Sequence, residues 1–226
     1  MRVCGIDGCP AGWVVVSIGA DGARDFAIID GIDPRAISDA AMTYIDMPIG
    51  LPESGHRGCD LAARKLLGRA QSRVFLGLRR PLLAYLGDYP AANAWAKTDG
   101  KGLAKQAFFI LPKIAEIDAI MTPARQRRLR ESHPELVFQR LNGGTPLVSK
   151  HARAGLEARH KILARHGFEA LGAWLGQLRG RGAQPDDLLD ACALALAARE
   201  ASQGNAQRVK CSARRDARGL RMDIWF

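Results

Sequence analysis

Four aspartates stand where carboxylates could do chemistry. Asp7 ends the apolar stretch Cys4-Gly5-Ile6 and precedes the turn Gly8-Cys9-Pro10-Ala11-Gly12. Asp46 ends Met42-Thr43-Tyr44-Ile45, and Asp187 and Asp190 open a long apolar helical run that reaches Ala198. Residues three apart share a helix face, so Asp187 and Asp190 project together, and that face continues as Leu194 and Ala197. A carboxylate on a core-facing stripe costs several kcal/mol unless it is paired or ligates a metal. The four make a hard, oxygen-only donor set suited to Mg²⁺ or Mn²⁺. Clusters of this kind, with ions ~3.5 to 4 Å apart, hydrolyse phosphodiesters: one ion activates water and the other stabilises the leaving alkoxide. Plainer readings exist beside this one. Asp7 can cap a tight turn, and Asp186 and Asp187 suit a helix N-terminus through capping and the macrodipole. They account poorly for Asp190.

The elements that must position these acids follow from the pattern. After the Gly8 to Gly12 turn, Val14-Val15-Val16-Ser17-Ile18 reads as a second strand and Asp25-Phe26-Ala27-Ile28-Ile29 as a third; short connections make the three an antiparallel meander. Asp33 to Ala41 reads as a short helix, with Asp33 as cap and Pro34 at the first helical position. A helix between strands implies a crossover, which lays the fourth strand parallel to an earlier one and brings Asp46 to the edge that holds Asp7. Met47 to Pro52 leaves the ladder as a loop because its prolines lack an N–H. Further helices are expected over Cys59 to Leu67, Lys101 to Met121 with a kink at Pro112, Lys150 to His166 and Glu169 to Leu178. The tail Gly219 to Phe226 alternates as a last edge strand would.

A chain of 226 residues, 47% hydrophobic, suits one large domain or one domain with an inserted subdomain. No apolar run approaches the ~20 residues that span a bilayer, and the first residues already read as a strand, so the expected compartment is the cytoplasm, with no membrane partner. Cys4, Cys9, Cys59, Cys192 and Cys211 are odd in number and widely spaced, which argues against a disulfide framework. Cys4, Cys9 and Cys59 read as buried small hydrophobes more readily than as soft metal ligands. Lys plus Arg number 33 against 23 Asp plus Glu, a net charge of +10, which favours polyanionic partners. Arg64, Lys65, Arg69, Arg73, Arg79 and Arg80 concentrate that charge in a Gly-rich stretch. Such a stretch suits gripping a phosphate backbone, or equally a solvated excursion.

Gly5-Ile6-Asp7 before a Gly-containing turn, with Asp187-x-x-Asp190-Ala on a late helix, resembles the RNase H-like superfamily, and the late helix is most similar to that of Holliday junction resolvases. The motifs Gly5 to Trp13, Ile45 to Pro52, Arg57 to Arg64, Pro112 to Asp118 and Glu131-Ser132-His133-Pro134-Glu135, with the Asp187 helix, resemble an uncharacterised microbial family of predicted nucleases with that fold, domain of unknown function 429. The resemblance covers nearly the whole chain. It implies that Asp7 is the first-strand metal ligand and that Asp187 and Asp190 are the late-helix acids. Asp46 stands where the resolvases carry a glutamate. Glu131 has no clear resolvase counterpart; it reads as a fifth ligand or a base, and His133 beside it as a group that orients water or the leaving group. Arg57, Arg64, Arg69, Arg73 and Lys113 of the insertion are the expected nucleic-acid contacts; Arg57, Asp60, Arg64, Lys113, Glu116 and Asp118 belong to the family pattern and equally suit an internal salt-bridge network.

The expectation is therefore an α/β, RNase H-like domain over residues 1–226, with a five-stranded mixed sheet flanked by helices and a basic helical insertion at about 53–125. Its expected activity is Mg²⁺- or Mn²⁺-dependent hydrolysis of DNA or RNA. Oligomeric state is left open, a homodimer included. Two rivals are a non-catalytic nucleic-acid-binding module on the same fold and an ATP-binding phosphotransferase relative. Against the latter, the chain is short for a duplicated domain and holds no P-loop.

Overall fold

The computed structural model describes residues 1–100, 102–212 and 214–226. In chain order its strands and α-helices are β1 (Val3–Cys9), β2 (Gly12–Ile18), β3 (Arg24–Ile29), α1 (Pro34–Ser38), β4 (Met42–Ile45), α2 (Gly58–Leu67), α3 (Tyr89–Thr98), α4 (Lys105–Phe109), α5 (Leu111–Ile120), β5 (Leu129–Glu131), α6 (Pro134–Leu141), α7 (Arg153–Arg165), α8 (Leu171–Gly176) and α9 (Pro185–Ser202). The chain divides into two compact units. One comprises Met1–Asp46, Arg128–Arg208 and Trp225–Phe226; the other comprises Met47–Arg127 and Val209–Ile224.

The first unit holds the sheet, in the order β3-β2-β1-β4-β5. The meander is antiparallel, and β4 lies parallel to β1 and β5, so the sheet is mixed and flanked by helices. The crossover helix α1 starts as its sequence requires: Asp33 accepts from the Arg35 N–H at 2.8 Å and Pro34 fills the first turn. Side chains alternate along a strand, so Val3, Gly5, Asp7 and Cys9 share one face of β1. The register sets them beside Ile18, Val16 and Val14 of β2 and Met42 and Tyr44 of β4. That face forms the core with α9, whose residues Leu188 to Ala198 are all buried, and with Val137, Phe138, Leu163, Phe168 and Leu171. An apolar helix buried all round is what the run Ala191-Cys192-Ala193-Leu194-Ala195-Leu196-Ala197-Ala198 encodes.

The second unit is helical. Its core includes Leu67, Leu78, Leu82, Ala92, Ala96, Leu111, Ile114 and Ile117. Arg80 joins it by ion pairs to Asp118 (2.9 Å) and to the buried Asp216 (2.5 Å), and Arg218 adds a second pair to Asp118 at 2.6 Å. The residues Val209–Ile224, remote in sequence, thus complete the helical unit that the sequence places at about 53–125. The helix expected over Lys101 to Met121 is two helices, α4 and α5, because Pro112 sits in the first turn of a new helix instead of kinking one; Lys101 itself lies outside the described residues. Expected helices 150–166 and 169–178 are the shorter α7 and α8.

The tail makes no strand. Trp225 bridges Ser132 and Arg208 singly, its N–H donating to Glu131 O at 3.0 Å and its carbonyl accepting from Ser132 Oγ at 2.6 Å. Among the described residues no helix is long and apolar enough to cross a membrane.

Candidate active site

Glycine at position 5 decides how the site is assembled. A Cβ there would lie 2.2 Å from both Ala191 O and Ala195 N, so its absence lets the backbone of α9 rest directly on β1. Ala191 and Ala195 keep the helix side of that contact small. The lead-in to α9 is fixed as well. Ala11 N donates to Gly182 O at 2.9 Å, and a Cβ at Gly182 would meet Ala11 Cβ at 2.7 Å. The small residues of the opening turn therefore serve contact with the lead-in of α9.

With the helix seated, Asp7, Asp46 and Asp190 come within range of one another's charge. Asp46 follows β4 by one residue, yet its N–H donates to Ile6 O at 3.0 Å, which continues the β1–β4 ladder and makes it the register neighbour of Asp7 on the same face. Asp7 is buried at 7% exposure and Asp190 at 2%. Burial, then the charges of Asp46 and Asp190, push the Asp7 carboxyl well above the usual range. Burial raises Asp46 too, against the opposing charge of Lys150. Asp190 is pushed up to about 6, again first by burial, although Lys150 pulls it back. Burial and like charge act together here, which is how functional sites are commonly built.

Hydrogen bonds to these acids are few. Asp7 Oδ1 accepts from the Gly8 N–H at 2.8 Å, so the turn-capping bond exists beside the electrostatic cluster. Asp190 Oδ2 accepts from Lys150 Nζ at 2.7 Å, while the buried Asp190 Oδ1 accepts no hydrogen bond from any described residue. Lys150 Nζ also pairs with Asp186 Oδ2 at 3.0 Å. Burial opposes the lysine's charge, but Asp190, Asp7 and Asp186 outweigh it and raise its pKa. Lys150 and Asp186 are members of the site that sequence reasoning missed: Lys150 reads there as the start of a helix and Asp186 as a cap.

The other expected residues fall in different places. Asp187 does cap, its Oδ2 accepting from Gln184 N at 2.8 Å, and its charge also bears on Asp7. Glu131 is buried at the end of β5 opposite Ile45, so the pleat turns it to the face of the sheet away from Asp7 and Asp46. His133 caps α6: its Nδ1 accepts from Glu135 N at 3.2 Å, which leaves the proton of the neutral ring on Nε2. Glu135 is held by a pair from the fully buried Arg159, whose Nη2 lies 2.7 and 2.8 Å from the two carboxylate oxygens. In the second unit Arg57 is buried and paired with Asp60 at 3.4 Å, and Arg64 donates to Val74 O at 2.9 Å. Both serve the internal network that the sequence equally allows. Arg69 is exposed, and Arg73 and Lys113 are half-buried.

Cys4 and Cys9 lie on opposite faces of β1, and Cys4, Cys9, Cys59 and Cys192 are all buried. Among the described residues no three His, Cys, Asp or Glu side chains are grouped as they would be around a metal ion.

These features define an α/β protein with one five-stranded mixed sheet and a buried acid cluster where two strand ends meet a helix. The chain belongs to the family described as "Protein of unknown function (DUF429)", which it matches over residues 5–214. Neither the curated proteins nor the solved structures contain a match to it.

Proposed function

We propose that this protein is a metal-dependent phosphodiester hydrolase of nucleic acid on an RNase H-like fold, with Asp7, Asp46 and Asp190 as the ligands of Mg²⁺ or Mn²⁺. One observation carries the reading: three carboxylates from three separate elements share a buried site in which burial and mutual repulsion disfavour their charge. The fold keeps an arrangement that costs it stability, and a divalent cation is the ligand that would reverse that cost. The residues fit such an ion in chemistry. All donors are carboxylate oxygens, and Asp190 Oδ1 is a buried acceptor to which no described residue donates.

Bound divalent ions would supply an activated water and a counter-charge for the leaving oxygen. The protein's own groups would do the rest. Asp7 and Asp46, adjacent in register, hold their carboxylates side by side on a rigid sheet. Asp190 closes the site from α9, and Asp187 stands one turn earlier at the helix start. His133, the cap of α6, would orient water or the leaving group. The net charge of +10 would favour a polyanionic substrate. Under this reading Asp7→Asn and Asp190→Asn each abolish Mg²⁺- or Mn²⁺-dependent cleavage of DNA and RNA substrates while circular dichroism stays unchanged. Full activity in either variant would overturn it.

A second reading rests on Lys150, which already neutralises part of Asp190. A non-catalytic nucleic-acid-binding module would bind with strong salt dependence and with no response to Mg²⁺ or Mn²⁺.

A further inference from the structure

We propose that Lys150 is a tethered counter-ion: its ammonium fills the cation position of the acid cluster in the metal-free protein and swings out when a divalent ion binds. The inference rests on the metal-ligand reading above. One ammonium touches two acids of α9, Asp190 at 2.7 Å and Asp186 at 3.0 Å, and its charge bears on Asp7 and Asp46 of the sheet edge. It serves them incompletely, since the buried Asp190 Oδ1 receives no hydrogen bond from a described residue. A divalent ion would bring twice the charge and closer contact, at ~2.0 to 2.1 Å for Mg²⁺.

The neighbouring backbone is pinned, so the exchange is a movement of the side chain. Arg159 Nη1 donates to Val148 O at 3.0 Å, and Arg159 is itself held by both oxygens of Glu135. Ala152 N donates to Ser149 O at 3.0 Å, and Gly155 lacks the Cβ that would lie 2.0 Å from that oxygen. The lysine side chain retains 28% exposure against 3% for that of Asp190, so the four-carbon stem has a route to water while the acid stays behind. A permanent structural ion pair would share the distances but not the exchange.

The test is lysine footprinting of the whole chain by single-hit amine acylation and mass spectrometry, with and without Mn²⁺, alongside calorimetric Mn²⁺ titration. Exposed Lys161 serves as the internal reference. Mn²⁺ should speed acylation of Lys150 several-fold and leave Lys161 unchanged. Lys150→Met should bind Mn²⁺ roughly tenfold more tightly, because an occupied site lowers apparent affinity by the fraction that is free. If Mn²⁺ binds and Lys150 labelling is unchanged or slower, or if Lys150→Met folds and binds Mn²⁺ no more tightly, the exchange is wrong and the metal reading stands. If Mn²⁺ binds neither protein, both fall. Should Lys150→Met fail to fold, footprinting of the unaltered chain decides alone.

Discussion

Replacing Asp7 with asparagine should make the metal-free protein more stable while destroying its function. Asparagine keeps the shape and can keep the acceptor for the Gly8 N–H, now at 2.8 Å, but removes a charge that burial, Asp46 and Asp190 all oppose. Each kcal/mol of that relief raises Tm by roughly 2 to 4 °C in a chain of this size. The assay is thermal and urea unfolding in chelator, repeated with saturating Mn²⁺. The variant should be the more stable in chelator, should gain far less from Mn²⁺ than the wild type, and should not cleave. A variant less stable than the wild type in chelator would refute the claim that Asp7 is held against its preference.

Metal-free stability should fall as pH rises from about 4 to 7. A carboxyl whose folded pKa is raised holds its proton in the native state after the unfolded chain has lost it, so stability is greatest below the unfolded value and is lost as pH rises through the folded one. From Asp190 alone, buried at 2% exposure, the loss is up to about 3 kcal/mol over that window, and Lys150 stays charged throughout. Urea unfolding at stepped pH in chelator checks it; a rise over the same window would contradict it. Gly5→Ala should cost about 3 kcal/mol or more or prevent folding, because its Cβ meets helix backbone at 2.2 Å and not a side chain that can turn aside. Wild-type urea unfolding in that variant would show that α9 is not seated as described.

The parts of this site that the sequence discloses are those encoded by local pattern. Asp7 and Asp46 are visible because an apolar run ends on each, and the short helix between the strands makes them share an edge. Asp190 is visible because a carboxylate interrupts a stripe of Leu and Ala. Pairings over long sequence distance are not visible in this way. Lys150 is 40 residues from Asp190, and Arg159 is 24 from Glu135. No periodicity relates such pairs; they meet only once the helices are seated on the sheet. Of the expected nucleic-acid contacts, Arg57 has its guanidinium buried against Asp60 and Arg64 ties α2 to Val74. Glu131 misleads for a different reason. It stands at a strand end like Asp46, but the register turns it to the opposite face.

Crystals grown with Mn²⁺ and measured at its absorption edge address the central claim most directly. The account predicts an anomalous peak held by Asp7, Asp46 and Asp190, with Lys150 Nζ displaced from Asp190. No peak at saturating Mn²⁺, with the ammonium still against Asp190, would contradict it.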